Sequence, residues 1–246
     1  MTEPRPVALI TGAARRVGAA IARHLHTANY DLALHCRHSR RELDTLTEEL
    51  ELARPGSTLA LQADLAEVEM LPDLIDAALE RFGRLDALVN NASAFEATPV
   101  GAATTAQWDA LFASNARAPF FLSQAAAPAL ATSRGGIVNL VDIYAERPLA
   151  RHPIYCMAKA SLLMMTRALA LDLAPHVRVN AIAPGAILWP ENGKTTTEQQ
   201  ALLAKVPLGR AGTPNDVAAA VLWLLRDAPY VSGEVIRIDG GRSLGI

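Results

Sequence analysis

Short apolar runs alternate with longer amphipathic stretches along almost the whole chain, and this alternation limits the fold more than any other feature. Residues 7–10, 30–35, 58–62, 85–90, 136–141, 177–181 and 234–238 have the length and apolar character of buried strands. Helical stretches lie between them, at 17–28, 42–52, 67–82, 106–131, 153–173 and 214–225. In the second of these, Leu43, Leu46 and Leu50 share one face. In the fourth, a bend is expected near Pro119 or Pro128. Strands separated by helices need crossover connections, so the predicted architecture is an open, doubly wound, seven-stranded parallel sheet flanked by helices. The α/β pattern runs without a repeat or linker, so residues 1–246 are expected to form one domain.

Composition supports a buried parallel sheet. Hydrophobic residues make up 51% of the chain and aromatics only 5%, so the core is mostly Ala, Leu and Val, which lets helices pack closely on strands. The 23 basic and 25 acidic side chains nearly cancel, and no long block of like charge is present, which argues against nucleic-acid binding. Two distant cysteines, Cys36 and Cys156, make no disulfide framework and fit a reducing compartment. Residues 1–6 lack a signal-type apolar core, and no apolar run reaches the ~18 residues that span a bilayer, so a cytosolic protein without a membrane partner is expected.

In such a sheet, ligands bind outside the carboxyl ends of the strands. The first strand runs into Thr11-Gly12-Ala13-Ala14-Arg15-Arg16-Val17-Gly18, a small-residue turn that opens a helix. A turn of this kind lets the backbone approach a pyrophosphate while free N–H groups of the helix point at it. The turn is either that of a Rossmann-type dinucleotide site, with Gly12 supplying a turn and Gly18 close packing, or an ordinary strand-to-helix turn. Arg16 stands where another glycine is expected; it either reaches a phosphate or substrate carbonyl or is a solvated helix-start arginine. The second strand ends in His35-Cys36-Arg37-His38-Ser39-Arg40, with no acid before Glu42. A ribose 2′-hydroxyl calls for a carboxylate here, so arginine, imidazole and hydroxyl groups favour a 2′-phosphate, hence NADPH/NADP. Asp64, followed by Leu65, either bonds adenine or caps the next helix. Asn90-Asn91-Ala92 ends the fourth strand with small polar residues able to wall a cofactor.

Tyr155 and Lys159 lie four apart, on one helix face. An ammonium favours a phenolate, so Tyr155 is expected to titrate below ~10 and to trade protons near neutral pH. Asp142, at the end of the fifth strand, either caps a turn or orients Tyr155 and helps protonate through it. Asn115 either holds a water on a proton path or satisfies helix backbone groups. The segment 185–197 is read as a loop at the substrate end, with Trp189 and Glu191 as candidate contacts. No metal-ligand spacing stands out.

These motifs, with Arg178-Val179-Asn180-Ala181-Ile182-Ala183-Pro184-Gly185 and the closing Asp239-Gly240-Gly241, resemble the short-chain dehydrogenase/reductase family over essentially the whole chain. Arg16 for a glycine and Asp142 for the usual serine resemble the pteridine reductase branch, as does Asn91-Ala92-Ser93-Ala94-Phe95. The resemblance implies that Thr11, Gly12, Arg16, Val17, Gly18, His35, Arg37, His38, Ser39, Asp64, Leu65, Asn91, Ala92, Ser93, Asn115, Tyr155, Lys159, Pro184 and Gly185 serve the cofactor. It further implies that a pterin stacks on Phe95, meets Arg16, Ser93, Asp142 and Tyr155, and is reduced through Asp142, Tyr155 and Lys159. A homotetramer is implied in the same way. Reduction of a 3-oxoacyl thioester or other carbonyl is the alternative reaction, and a non-catalytic NADP sensor is the alternative of another class.

Overall fold

In a computed structural model that describes residues 4–187 and 195–245, seven strands form one all-parallel sheet in the order β3-β2-β1-β4-β5-β6-β7. The strands are β1 Val7–Ile10, β2 Asp31–Cys36, β3 Thr58–Gln62, β4 Ala87–Asn90, β5 Gly136–Leu140, β6 Arg178–Pro184 and β7 Val235–Ile238. The helices are α1 Arg16–Thr27, α2 Arg40–Ala53, α3 Leu71–Phe82, α4 Thr105–Phe112, α5 Ala118–Ser133, α6 Pro153–Asp172, α7 Thr196–Leu203 and α8 Pro214–Leu222. The Rossmann-type α/β architecture read from the alternation is the one observed.

Side-chain alternation along the strands builds a core on each face. In β1, Ala8 and Ile10 join α1, α2 and α8, whereas Val7 and Leu9 join α3, α5 and α6. Strand order reverses at β1, which pairs with β2 on one side and with β4 on the other. The loops after β1 and β4 therefore flank a crevice at the switch point.

Several boundaries differ from the sequence reading. β2 is shifted by one residue, because Asp31 pairs with Val7 and the ladder continues to Cys36 opposite Gln62. β6 extends to Pro184, whose partner is Ile238. The helix expected from residue 67 starts with a 3₁₀ turn at Val68–Met70 before α3 begins. The long helix at 106–131 is α4 and α5 joined through a π-turn, Ala113–Arg117, and Pro119 sits in the first turn of α5, where its missing N–H costs nothing. Residues 195–197 belong to the start of α7 rather than to a loop. Thr195 Oγ1 accepts from Glu198 N (3.3 Å), and Glu198 Oε2 accepts from Thr195 N (2.8 Å). Residues 188–194, including Trp189 and Glu191, lie outside the described residues. The 20 residues of α6 are long and apolar enough to cross a membrane by length and composition, a match the sequence reading did not make. Half of that stretch is buried in the fold, as a core helix requires.

Candidate active site

The glycine turn is shaped by what lies against it. Gly12 has φ +63°, and a Cβ there would stand 3.0 Å from the Ala92 Cα. A Cβ on Gly18 would stand 2.2 Å from the Gly12 carbonyl oxygen, so only glycine lets α1 begin this close to the turn. Thr11, almost fully buried, accepts at Oγ1 from the N–H groups of Asn91 and Ala92 at 3.0 Å each. Asn91 Nδ2 donates to the carbonyls of Thr11 (2.8 Å) and Gly12 (2.9 Å). The loops after β1 and β4 are thus laced into one wall. Arg16 has φ +53°, a left-handed conformation that a glycine would adopt without strain.

A cavity of about 540 Å³ opens over this wall, lined by Gly12, Arg16, Val17, Gly18, His35, Arg37, His38, Ser39, Asp64, Leu65, Asn91, Ala92 and Ser93 among the expected residues. Thr11, Asn115, Tyr155, Lys159, Pro184 and Gly185 are not part of that lining. At its adenosine end, Arg37 pairs with Asp64 (2.7 Å), and Asp64 also accepts from Ala66 N (3.0 Å). Asp64 is therefore a turn cap. Ser39 stands at the N-cap of α2 without a capping side-chain bond. His35 corrects the charge reading of this segment. Its Nδ1 accepts from Gly12 N (3.4 Å), and its Nε2 faces the Ala63 carbonyl (3.1 Å). Burial pulls its pKa below the ordinary value, so at neutral pH it is an uncharged support for the turn rather than a partner for phosphate.

The reactive groups lie beyond Ser93. Asp142 follows β5 in extended conformation and holds two partners: Oδ1 accepts from Tyr144 N (2.9 Å), and Oδ2 accepts from the Tyr155 hydroxyl (2.7 Å). Asp142 therefore caps the turn and contacts Tyr155 at once. Lys159 is only 2% exposed, donates to the Leu140 carbonyl (2.8 Å), and sits 5.9 Å from the Tyr155 ring centroid. Burial pulls its ammonium down to about 8. The expected lowering of the Tyr155 pKa is reversed. Burial, followed by the Asp142 charge, holds the phenol well above 10, because desolvation and an adjacent carboxylate both disfavour phenolate. Burial likewise pushes the Asp142 carboxyl up. Asn115 takes the structural role: fully buried at the π-turn, it donates to the carbonyls of Leu111 and Ala94 (2.9 Å each) and accepts from the Ser93 hydroxyl (2.7 Å). Phe95 is 57% exposed, stacked on His152 (4.6 Å, 16°) and edge-on to Tyr155 (4.8 Å, 87°).

A family model described as enoyl-(acyl carrier protein) reductase matches residues 12–243. Pteridine reductase 1 of Leishmania tarentolae is 36% identical, over 97% of this chain and 96% of its own length. Glucose 1-dehydrogenase 2 of Bacillus subtilis is 32% identical over 96% and 94%, and a 3-oxoacyl-[acyl-carrier-protein] reductase of Staphylococcus aureus is 31% identical over 95% and 96%. The chain belongs to the short-chain dehydrogenase/reductase family.

As a short-chain dehydrogenase/reductase, it is an NAD(P)-dependent oxidoreductase. Its residues fit a dinucleotide on their own terms: a cradle that a Cβ would fill at Gly12 and Gly18, a helix N-terminus behind it, and a cavity of the right scale. The relatives act on chemically unlike substrates by name, so family membership leaves the substrate to the residues around Tyr155. Sequence reasoning missed four of those neighbours. Ser114 lines the cavity and accepts from Ala94 N (3.2 Å). His152 covers Phe95. Tyr144 holds Asp142, and Arg242 holds Tyr144. Ser114, next to Asn115, and Arg242, next to Asp239-Gly240-Gly241, carried a positional hint.

Proposed function

We propose that this enzyme is a pteridine reductase that uses NADPH to reduce a pterin C=N bond. The observation that carries the reading is the 2.7 Å hydrogen bond between the Tyr155 hydroxyl and Asp142. Reduction of an alkoxide-forming carbonyl gains nothing from a carboxylate at this place, whereas protonation of a ring nitrogen needs an acid. Burial raises Asp142, which favours the carboxylic acid form. A protonated Asp142 donates to the Tyr155 oxygen and releases the Tyr155 proton toward substrate nitrogen; an ionised Asp142 keeps that proton for itself. Bound NADPH supplies the hydride for the carbon of the same bond. Exposed Phe95 offers aromatic surface for a flat heterocycle. Arg16 and Ser93 border the cavity where the pterin edge would lie. Lys159 holds the end of β5, and its charge favours the carboxylate of Asp142.

The preference for NADPH over NADH rests on Arg37, His38 and Ser39 at the mouth of the cavity, with no carboxylate at the end of β2. Assembly into a homotetramer is part of the same proposal. Trp108, Phe120, Met164 and Leu171 leave apolar surface exposed along α4, α5 and α6.

The test is NADPH oxidation with dihydrobiopterin, dihydromonapterin, dihydrofolate and an acetoacetyl thioester side by side. Turnover of a pterin but not of the thioester is expected. Asp142→Ser should abolish pterin turnover and leave NADPH binding intact. Thioester turnover alone would sink the pterin assignment and leave a carbonyl reductase.

A further inference from the structure

The turn after β5 is gripped from the far end of the chain. Beyond β7, the Asp239 carboxylate accepts from Gly241 N (2.9 Å) and Ser243 N (2.8 Å). Gly240 and Gly241 take left-handed φ values of +65° and +82°, so the backbone doubles back into a 3₁₀ turn, Arg242–Leu244. Arg242 is thereby brought to Tyr144. Its Nη2 donates to the Tyr144 hydroxyl (2.9 Å), and its guanidinium carbon lies 5.6 Å from the ring centroid. Its Nε is removed from solvent and has no acceptor among the described residues. A buried unpaired donor costs stability, so the grip on Tyr144 is held against a local penalty.

We propose that Arg242 is a positioning residue for the reaction: it grips Tyr144, whose backbone N–H in turn fixes the Asp142 carboxyl that holds Tyr155. The inference rests on Asp142 and Tyr155 being the proton-handling pair of the proposed reduction. The groups facing that pair are Cys156 and Lys159 from α6, Ser93 from the loop after β4, Tyr144 from the turn itself, and Arg242 from the C-terminal segment. Burial pushes the Asp142 carboxyl up. The Tyr144 and Tyr155 hydrogen bonds and the Lys159 and Arg242 charges pull it back. Arg242 thus helps fix where Asp142 points, through Tyr144, and adds to the charges that favour its carboxylate. Arg237 of β7 grips the same turn, but through Glu146 (Nε to Oε2, 2.9 Å), on the exposed side.

The experiment follows the ¹³C carboxyl titration of Asp142 in the ligand-free protein, with the resonance assigned by Asp142→Asn. Arg242→Met should raise the Asp142 midpoint by at least about half a pH unit, because a neighbouring cation favours the carboxylate. Arg242→Lys should restore most of it, and Arg237→Met should leave it in place. In turnover, the alkaline limb of kcat/KM should move to higher pH in Arg242→Met, since the acid form of Asp142 survives further. An unmoved midpoint in Arg242→Met would overturn the proposal. An equal movement in Arg237→Met would also overturn it, by making general loosening of the turn the cause. The titration needs no substrate. A shifted midpoint in an enzyme that turns over no pterin would refute the proposed function and leave the role of Arg242 standing.

Discussion

Replacing Lys159 by methionine tests the electrostatics of the reactive centre without any substrate. The side chain is 2% exposed and has one hydrogen-bond acceptor, the Leu140 carbonyl. In the unfolded chain its ammonium titrates at the ordinary 10.5; in the folded protein burial brings this to about 8. The sign follows from linkage: a depressed folded pKa gives a contribution that is complete above 10.5 and lost as pH falls through 8. At roughly 1.4 kcal/mol per pH unit, the buried ammonium costs about 3 kcal/mol at pH 7 and nothing above the unfolded value. Methionine has a similar shape and no charge, so the variant escapes this cost. It loses the bond to Leu140, a penalty of about 1–3 kcal/mol that does not change with pH. Urea titrations of both proteins at pH 7 and pH 10.5 isolate the ionic part, because groups shared by the two cancel. The stability of Lys159→Met relative to wild type should be about 3 kcal/mol more favourable at pH 7 than at pH 10.5. A relative stability that is the same at both pH values would refute the reasoning, since the ammonium would then be fully compensated in the folded state.

Three further outcomes follow from the same geometry. Asp142→Asn removes the charge beside Tyr155 while keeping the shape, so the phenol pKa should fall toward the 10 of free tyrosine, with burial still holding it above; the difference in tyrosinate absorbance between this variant and its Tyr155→Phe derivative reads it. Gly18→Ala drives a Cβ to 2.2 Å from the Gly12 oxygen and should destabilise the fold by about 1–3 kcal/mol in denaturant titration, with loss of NADPH binding. Arg16→Gly removes a left-handed arginine, a gain of about 1 kcal/mol, and adds a glycine entropy cost of similar size, so stability should stay within about 1 kcal/mol while the substrate KM rises. A parallel fall in stability would make Arg16 a structural residue.

The sequence by itself determined the order of strands and helices, because a strand buried on both faces must be a short apolar run and a crossover must be helical. It also determined which groups share an element: Tyr155 with Lys159 on α6, and Gly12 with Gly18 across one turn. Periodicity is local, and these relations are local. The capping pair Thr195–Glu198 went unread, because the polar run around it reads as loop. What the tertiary structure decided depends on distance and on solvent. His35 reads as a partner for phosphate until Gly12 and Ala63 are seen to close over it. The lysine four residues from Tyr155 suggests a low phenol pKa, yet the sign is set by burial and by Asp142, and burial is the work of every element packed around the site. Arg242 reaches Tyr144 across 98 residues of chain, a contact that no spacing encodes, because only the pairing of β7 with β6 and the turn behind Asp239 bring the two together.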